Sequence, residues 1–266
     1  MDPQSSVWDE FQTNKVCMNT FKLTLILILS LWIPQIARAQ KNTSNLKNEA
    51  KTYKVIRLKH GLNIDGNWNK PQWRKVKPIE VNNFIRENPK FRPRVNAKVM
   101  YDDENIYVIF RVEDRYVRSI TTEINGPVWK DSAVEFFFSP DPAMPKSYFN
   151  LEVNCGGTPL LGYNSIPRKR PVIEDIKKII IGHSLPNQVD PEISEPVTWT
   201  VEYKIPINML ENYSKVAHPE KGVIWRANFY KIAEINSNPH HATWSVIDAP
   251  KPTFHLPQFF GFLKFQ

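Results

Sequence analysis

Three short stretches gather side chains that could do chemistry. In "VWKDSAVEFFFSPD", residues 128–141, Trp129 stands six residues before Glu135. Val134, Phe136 and Phe138 alternate there with Glu135 and Phe137, which is the period of a β-strand whose side chains point to opposite faces in turn. In "FNLEVN", residues 149–154, Glu152 and Asn154 share one face and Leu151 and Val153 the other. In "RANFYK", residues 226–231, Asn228 and Tyr230 are set against Ala227 and Phe229 in the same way. A carboxylate or a planar amide can bond two hydroxyls at once, and a flat aromatic ring packs against C–H bonds. Such a set suits a ligand with C–H bonds on its faces and hydroxyls on its rim, as a sugar has. The same pattern also describes the solvated outer face of a sandwich, apolar within and polar without.

The elements that must position these groups are strands. "YKVIRL" (53–58) is one. "NIDGNWNKPQW" follows, with a turn at Asp65-Gly66 and a break at Pro71. "RVNAKVMYDDENIYVIFRVED" (94–114) is a β-hairpin folded about "DDEN". "SYFNLEVNCGG", "IKKIIIGHS", "PVTWTVEYKIPINML", "VIWRANFYKIAE", "TWSVID" and "FHLPQFFGFLKF" supply more, with a turn or short helix at Ile207–Leu210. The chain has 266 residues, 41% of them hydrophobic, enough for a packed core. Its 22 prolines against 9 glycines favour short strands joined by proline-bearing loops. About ten strands with almost no helix predict an all-β fold, an antiparallel β-sandwich of jelly-roll or immunoglobulin-like type.

Residues 1–39 read as a signal peptide region, with the true start at Met18. Lys22 is the basic segment, and Leu23 to Ile33 are apolar but short for a membrane span. "ARA", Ala37 to Ala39, is a cleavage site that makes Gln40 the mature start. A retained membrane anchor is the alternative. Residues 40–52 read as a disordered polar leader and residues 53–266 as the domain. The expected product is secreted or periplasmic, monomeric and without an anchor. Of two cysteines, Cys17 precedes the signal, so Cys155 alone remains and no disulfide holds the fold. The formal charge of +8 favours polyanions, and export makes an acidic polysaccharide a better candidate than nucleic acid.

The order of these pieces, an "IDG" opening with a later tryptophan, "YDDENIYVIFRVED", "VWKDSAVEFFF", "FNLEVN" and "FHLPQFFGFLKF", resembles the family 9 carbohydrate-binding modules. The resemblance runs from about Tyr53 to Gln266. It implies a β-sandwich without catalytic activity that clamps a sugar, at a glycan chain end, between two aromatic side chains. It also implies structural calcium. Trp129 matches the first clamp residue, Glu135 the acid six residues on, Asn154 an asparagine that contacts sugar, and Asn228 an amide. Phe254 stands where the family has its second clamp tryptophan, and Glu152 where it has an arginine. A phenylalanine offers less stacking area and no indole N–H.

Two other readings stay open. Glu135 and Glu152 could be the acid and nucleophile of a glycosidase, whose carboxyl groups stand roughly 5–9 Å apart. No nucleophile motif accompanies them, and Cys155 has no evident base partner. Some sandwich domains hold haem through Met and His. Met100, Met144 and Met209 are available, but no C-x-x-C-H motif is present. His240, His241 and His255 lack a carboxylate or cysteine at ligand spacing and read as loop residues. Asp102, Asp103 and Asp114 could bind calcium, although turn chemistry explains the first two. Arg168, Lys169 and Arg170 read as a solvated loop, with contact to an anionic glycan as the alternative. Trp68, Trp73, Trp199 and Trp225 read as packing residues, and Trp244 as either a packing or a site residue.

Overall fold

The alternating stretches pair into two sheets, seen in a computed structural model that describes residues 50–86 and 88–266. The expected signal segment and leader residues 40–49 lie outside the described residues. The first half runs β1 (Thr52–Arg57), β2 (Ile79–Glu80), β3 (Asn83–Ile85), β4 (Arg94–Tyr101), β5 (Asn105–Asp114), β6 (Val117–Ser119) and β7 (Ala133–Ser139). The second half runs β8 (Tyr148–Asn154), β9 (Pro159–Asn164), β10 (Ile180–His183), β11 (Val189–Ile193), β12 (Val197–Pro206), β13 (Ile224–Ala233), β14 (His240–Thr243) and β15 (Gly261–Phe265). Three short helices interrupt them: α1 (Pro71–Arg74), α2 (Ile173–Ile176) and α3 (Ile207–Glu211). Among the described residues no helix is long and apolar enough to cross a membrane.

One sheet has the order β10-β12-β5-β4, with β2 beside β4. The other runs β15-β13-β7-β8-β9, with β14 beside β13 and β3 beside β14. β1 joins them. Its first part pairs parallel with β15 (Val55 opposite Phe265), and its last residues pair parallel with β4 (Ile56 opposite Met100). A small sheet of β6 and β11 lies apart.

Period-two alternation sends Val134, Phe136 and Phe138 of β7, Leu151 and Val153 of β8, and Ala227 and Phe229 of β13 into the shared core. Val108, Phe110, Trp199 and Val201 meet them from the opposite sheet. Each such side chain contributes about 1.5–3 kcal/mol by leaving water. The other face of β7 is not simply solvated. Ala133 and Phe137, with Tyr230, Ile232, Phe254 and Phe260, form a second apolar cluster on the outside of that sheet. Glu135 lies on this covered face.

Two of the buried charged groups, Lys231 and Glu202, tie their strands to other parts of the chain. Lys231 points inward from β13 and is fully buried. Its Nζ lies 3.2 Å from Asp114 Oδ2, donates to Ile232 O at 3.0 Å, and sits 2.8 Å from His240 Nε2. Burial and the Lys231 charge hold the His240 pKa down to about 2, so the imidazole is neutral. Glu202 of β12 is also fully buried. Its Oε2 accepts from Asp65 N (2.9 Å), Gly66 N (2.8 Å) and Lys70 Nζ (2.7 Å), and its Oε1 from Trp73 Nε1 (2.7 Å). The "IDG" turn and the tryptophan after it are thus two ends of one clip, and Gly66, at φ +76°, makes the turn sterically free.

Most expected strands are present, and short ones raise the number above ten. The run "TWSVID" is a correction: the strand is His240–Thr243, because its register with β13 ends at Tyr230 opposite Thr243. His240 and His241 are therefore strand residues and not loop residues. In "IKKIIIGHS" only Ile180–His183 pair, since Ile176 ends α2. Trp73, Trp199, Trp225 and Trp244 are buried, and Trp68 packs on the core with Lys98 Nζ 4.0 Å from its ring centre. The three aspartates do not converge. Asp102 Oδ1 accepts from Glu104 N and Asn105 N in the hairpin turn, Asp103 pairs with Arg57, and Asp114 pairs with Lys231. Among the described residues no group of three or more His, Cys, Asp or Glu side chains is placed to hold a metal ion. These aspartates therefore do not fit a shared calcium site.

Candidate functional site

The site is built where β7 and β8 lie side by side. Glu135 stands directly opposite Glu152 in their register, and Tyr230 of β13 flanks Glu135 on the other side. Glu135, Glu152 and Asn150 floor a cleft of about 300 Å³. Parity explains the set, since Asn150 and Glu152 are two residues apart on one strand. Trp129 stands at the edge, on a 3₁₀ turn, Val128–Lys130, just before β7. Its turn-mate Val128 is buried as an anchor, and the indole remains 38% exposed. The segment Thr253–His255 closes another side.

Asp131 and Asn154 hold the tryptophan turn in place. The Asp131 carboxylate accepts from Ile120 N (3.1 Å) and Thr121 N (3.0 Å). Asn154 Nδ2 donates to Asp131 Oδ2 and to Thr121 O, and Asn154 Oδ1 accepts from Thr158 N. Asn154 is fully buried, and its amide is used within the protein. Asn228 is likewise fully buried. Its Oδ1 accepts from Ser245 N and Phe229 N, and its Nδ2 donates to Ser245 O. Both asparagines were expected to contact ligand. Neither lines the cleft, and both instead fasten loops around it.

The structure brings the other four expected residues, Trp129, Glu135, Glu152 and Phe254, to one cleft. Phe254 is only 6% exposed. It stacks on Tyr230 with ring centres 4.1 Å apart, and Tyr230 Oη donates to its carbonyl. The aromatic pair is therefore unequal, an open indole at one side and an embedded phenyl at the other. Sequence reasoning missed Asn150, Arg86, His241 and His255 as lining residues, and had Arg168 only as the alternative to a solvated loop. Asn150 could have been found by parity with Glu152. The others come from separate loops and strands that only the folded chain brings together.

The floor is electrically unusual. Glu135 is 2% exposed and Glu152 5%, and the Oε2 atom of each has no hydrogen-bond partner. Asn150 Nδ2 donates to Glu152 Oε1 at 2.9 Å. Burial pushes the Glu135 carboxyl well above the usual range, and the neighbouring Glu152 and Glu234 add to this. Burial raises Glu152 to about 7, with the Asn150 hydrogen bond and Arg168 opposing. An acid whose folded pKa exceeds its unfolded value, about 4.3, holds its proton longer in the folded state. Its contribution to stability is present below about pH 4, falls as pH rises toward about 7, and stays lost above that. Glu152→Gln is therefore expected to stabilise the domain by up to about 3 kcal/mol at pH 8 and by little at pH 4. Urea unfolding at the two pH values checks this. An equal effect at both would show that the carboxyl titrates normally.

The sequence model of carbohydrate-binding family 9 matches residues 69–265. Among solved structures, a protein of Bacteroides uniformis ATCC 8492 proposed to bind carbohydrate is 26% identical, with a TM-score of 0.73 over 82% of this chain and 100% of that one. A family 9 carbohydrate-binding module of Caldicellulosiruptor kristjanssonii in complex with cellotriose is 17% identical, with a TM-score of 0.58 over 81% of this chain and 94% of that one. The same module with glucose is 18% identical, with a TM-score of 0.58 over 81% and 96%. No curated protein matches the chain.

Proposed function

The chain belongs to carbohydrate-binding family 9, and from that premise we propose that it is a secreted, non-catalytic protein that holds one sugar unit of a glycan in the Trp129 cleft. The observation that carries this reading is the pairing of an exposed indole with a floor of unsatisfied acceptors. Trp129 offers a flat face for the C–H side of a pyranose. Glu135 and Glu152 each lack a donor that a ligand's hydroxyls would supply. Phe254 and His255 bound the opposite side and limit the sugar to one orientation.

The carboxylates argue against glycosidase chemistry. That reaction needs two carboxyl groups flanking the scissile bond from opposite sides. Glu135 and Glu152 stand shoulder to shoulder on adjacent strands of one floor, where directly opposed Cβ atoms lie about 4.5–5.5 Å apart. Both could bond a sugar rim, but neither faces the other across a substrate.

The test is binding of residues 40–266 to a panel of neutral, acidic and amino-substituted glycans, cellotriose among them, alongside Trp129→Ala. Wild-type binding that weakens at least about tenfold in the variant, ~1.4 kcal/mol, is the expected result. Binding that survives the substitution, or appears only on acidic glycans at low salt, would place recognition on the basic surface instead.

A further inference from the structure

The charge of the cleft floor selects among sugars. This step rests on the glycan-binding reading and deepens it. A floor made for a neutral sugar needs donors as well as acceptors. Here the two most deeply placed groups are both carboxylates, directly opposite each other on β7 and β8. Each is more than nine-tenths buried, and each has an Oε2 without any donor. The one amide beside them, Asn150, already donates to Glu152 Oε1.

The geometry points to a glycan unit bearing a free protonated amine, a 2-amino-2-deoxy sugar, whose ammonium bridges Glu135 and Glu152 while its C–H face lies on Trp129. An ammonium has three donors and one charge, and two orphan acceptors side by side can each take one of those donors. A hydroxyl in the same place donates only once and leaves the like charges uncompensated. Burial raises both carboxyls, with Glu152 and Glu234 adding to Glu135 and Glu234 to Glu152, so a bound cation would also favour their ionised form.

Other charges face the floor from the rim. Arg86 and Arg168 are exposed there and favour anions, and Glu234 is exposed and favours cations. His241 approaches Arg86, with Nε2 3.1 Å from the guanidinium and 3.5 Å from Glu234, and His255 accepts from or donates to Tyr148 Oη. Exposed rim charges act through solvent and are screened, whereas the buried pair acts at contact. General attraction does not explain such a preference either, because a chain of formal charge +8 repels a cationic glycan.

The experiment is calorimetric titration at pH 6.5 and 150 mM salt with glucosamine trisaccharide, its fully N-acetylated form, and cellotriose. The amino form is expected to bind at least about tenfold tighter than either neutral one. Glu152→Gln and Glu135→Gln are each expected to shrink that ratio to about threefold or less, whatever each does to the affinity for cellotriose itself. Equal binding of the three glycans, still lost in Trp129→Ala, would overturn the amine preference and leave the glycan-binding reading standing. A preference unchanged in both glutamine variants would overturn the bridging role of the pair. Binding of none of them, with none on the wider panel, would overturn the glycan-binding reading and this inference with it.

Discussion

Glu202→Ala is expected to destabilise the domain by about 3–5 kcal/mol, enough to unfold a large share of the protein at physiological temperature. The carboxylate is fully buried and receives two backbone N–H groups, an indole N–H and the Lys70 ammonium. Its removal leaves the two backbone N–H groups and the Trp73 indole without their acceptor. Lys70 keeps a second partner, Asp65 at 2.7 Å, which limits its share of the loss. Glu202→Gln should cost less. Its carbonyl oxygen can still accept from Asp65 and Gly66, but its amide N–H₂ would confront Trp73 or Lys70. Urea denaturation of the three proteins reads the series directly. A loss under 1 kcal/mol in the alanine variant would mean that water replaces the carboxylate and that the loop is not held by it. Glu202 does not line the cleft, so folded variant should bind glycan as tightly as wild type.

Lys231→Met should cost a similar amount, about 3–5 kcal/mol, through the charge it leaves behind. Asp114 is as buried as the lysine, and its Oδ2 has only the ammonium for compensation. His240 cannot step in while neutral, and charging it would require overcoming the burial that lowers its pKa to about 2. Adding Asp114→Asn to Lys231→Met should restore much of the stability, because the orphaned charge is then gone. A double-mutant cycle by urea unfolding measures this, and additivity of the two changes would show that the ion pair is not coupled. Cys155, whose thiol burial pushes up to about 12, stays inert near this cluster.

How much of this was legible depended on what a strand pattern can carry. Period two correctly divided β7 into a core face and a second face, but the pairing that sets Glu135 opposite Glu152 came only with the fold. It named the residues on a face but not what covers that face. Asn228 shares its face with Tyr230, yet the chain at Ser245 folds over it and takes its amide. Asn154 lies at the end of β8, where Thr121 and Asp131 consume its bonds before any ligand could. The inward lysine was invisible for the opposite reason. Lys231 follows the alternation of Ala227 and Phe229, and only its pairing with Asp114 lets a charged residue stay there. The "IDG" and tryptophan signals were legible as a motif, but their partner, Glu202, lies 129 residues beyond Trp73. No local pattern connects them.

The seam formed by β1 sets an order of events during synthesis. β1 leaves the ribosome early, but its first partner, β15, is translated about 200 residues later, with Val55 awaiting Phe265. For that whole interval the early strand has one hydrogen-bonding edge without its native neighbour. A polypeptide that stops short of Gly261 therefore lacks the strand that pairs with the first part of β1 and cannot close the two sheets together there.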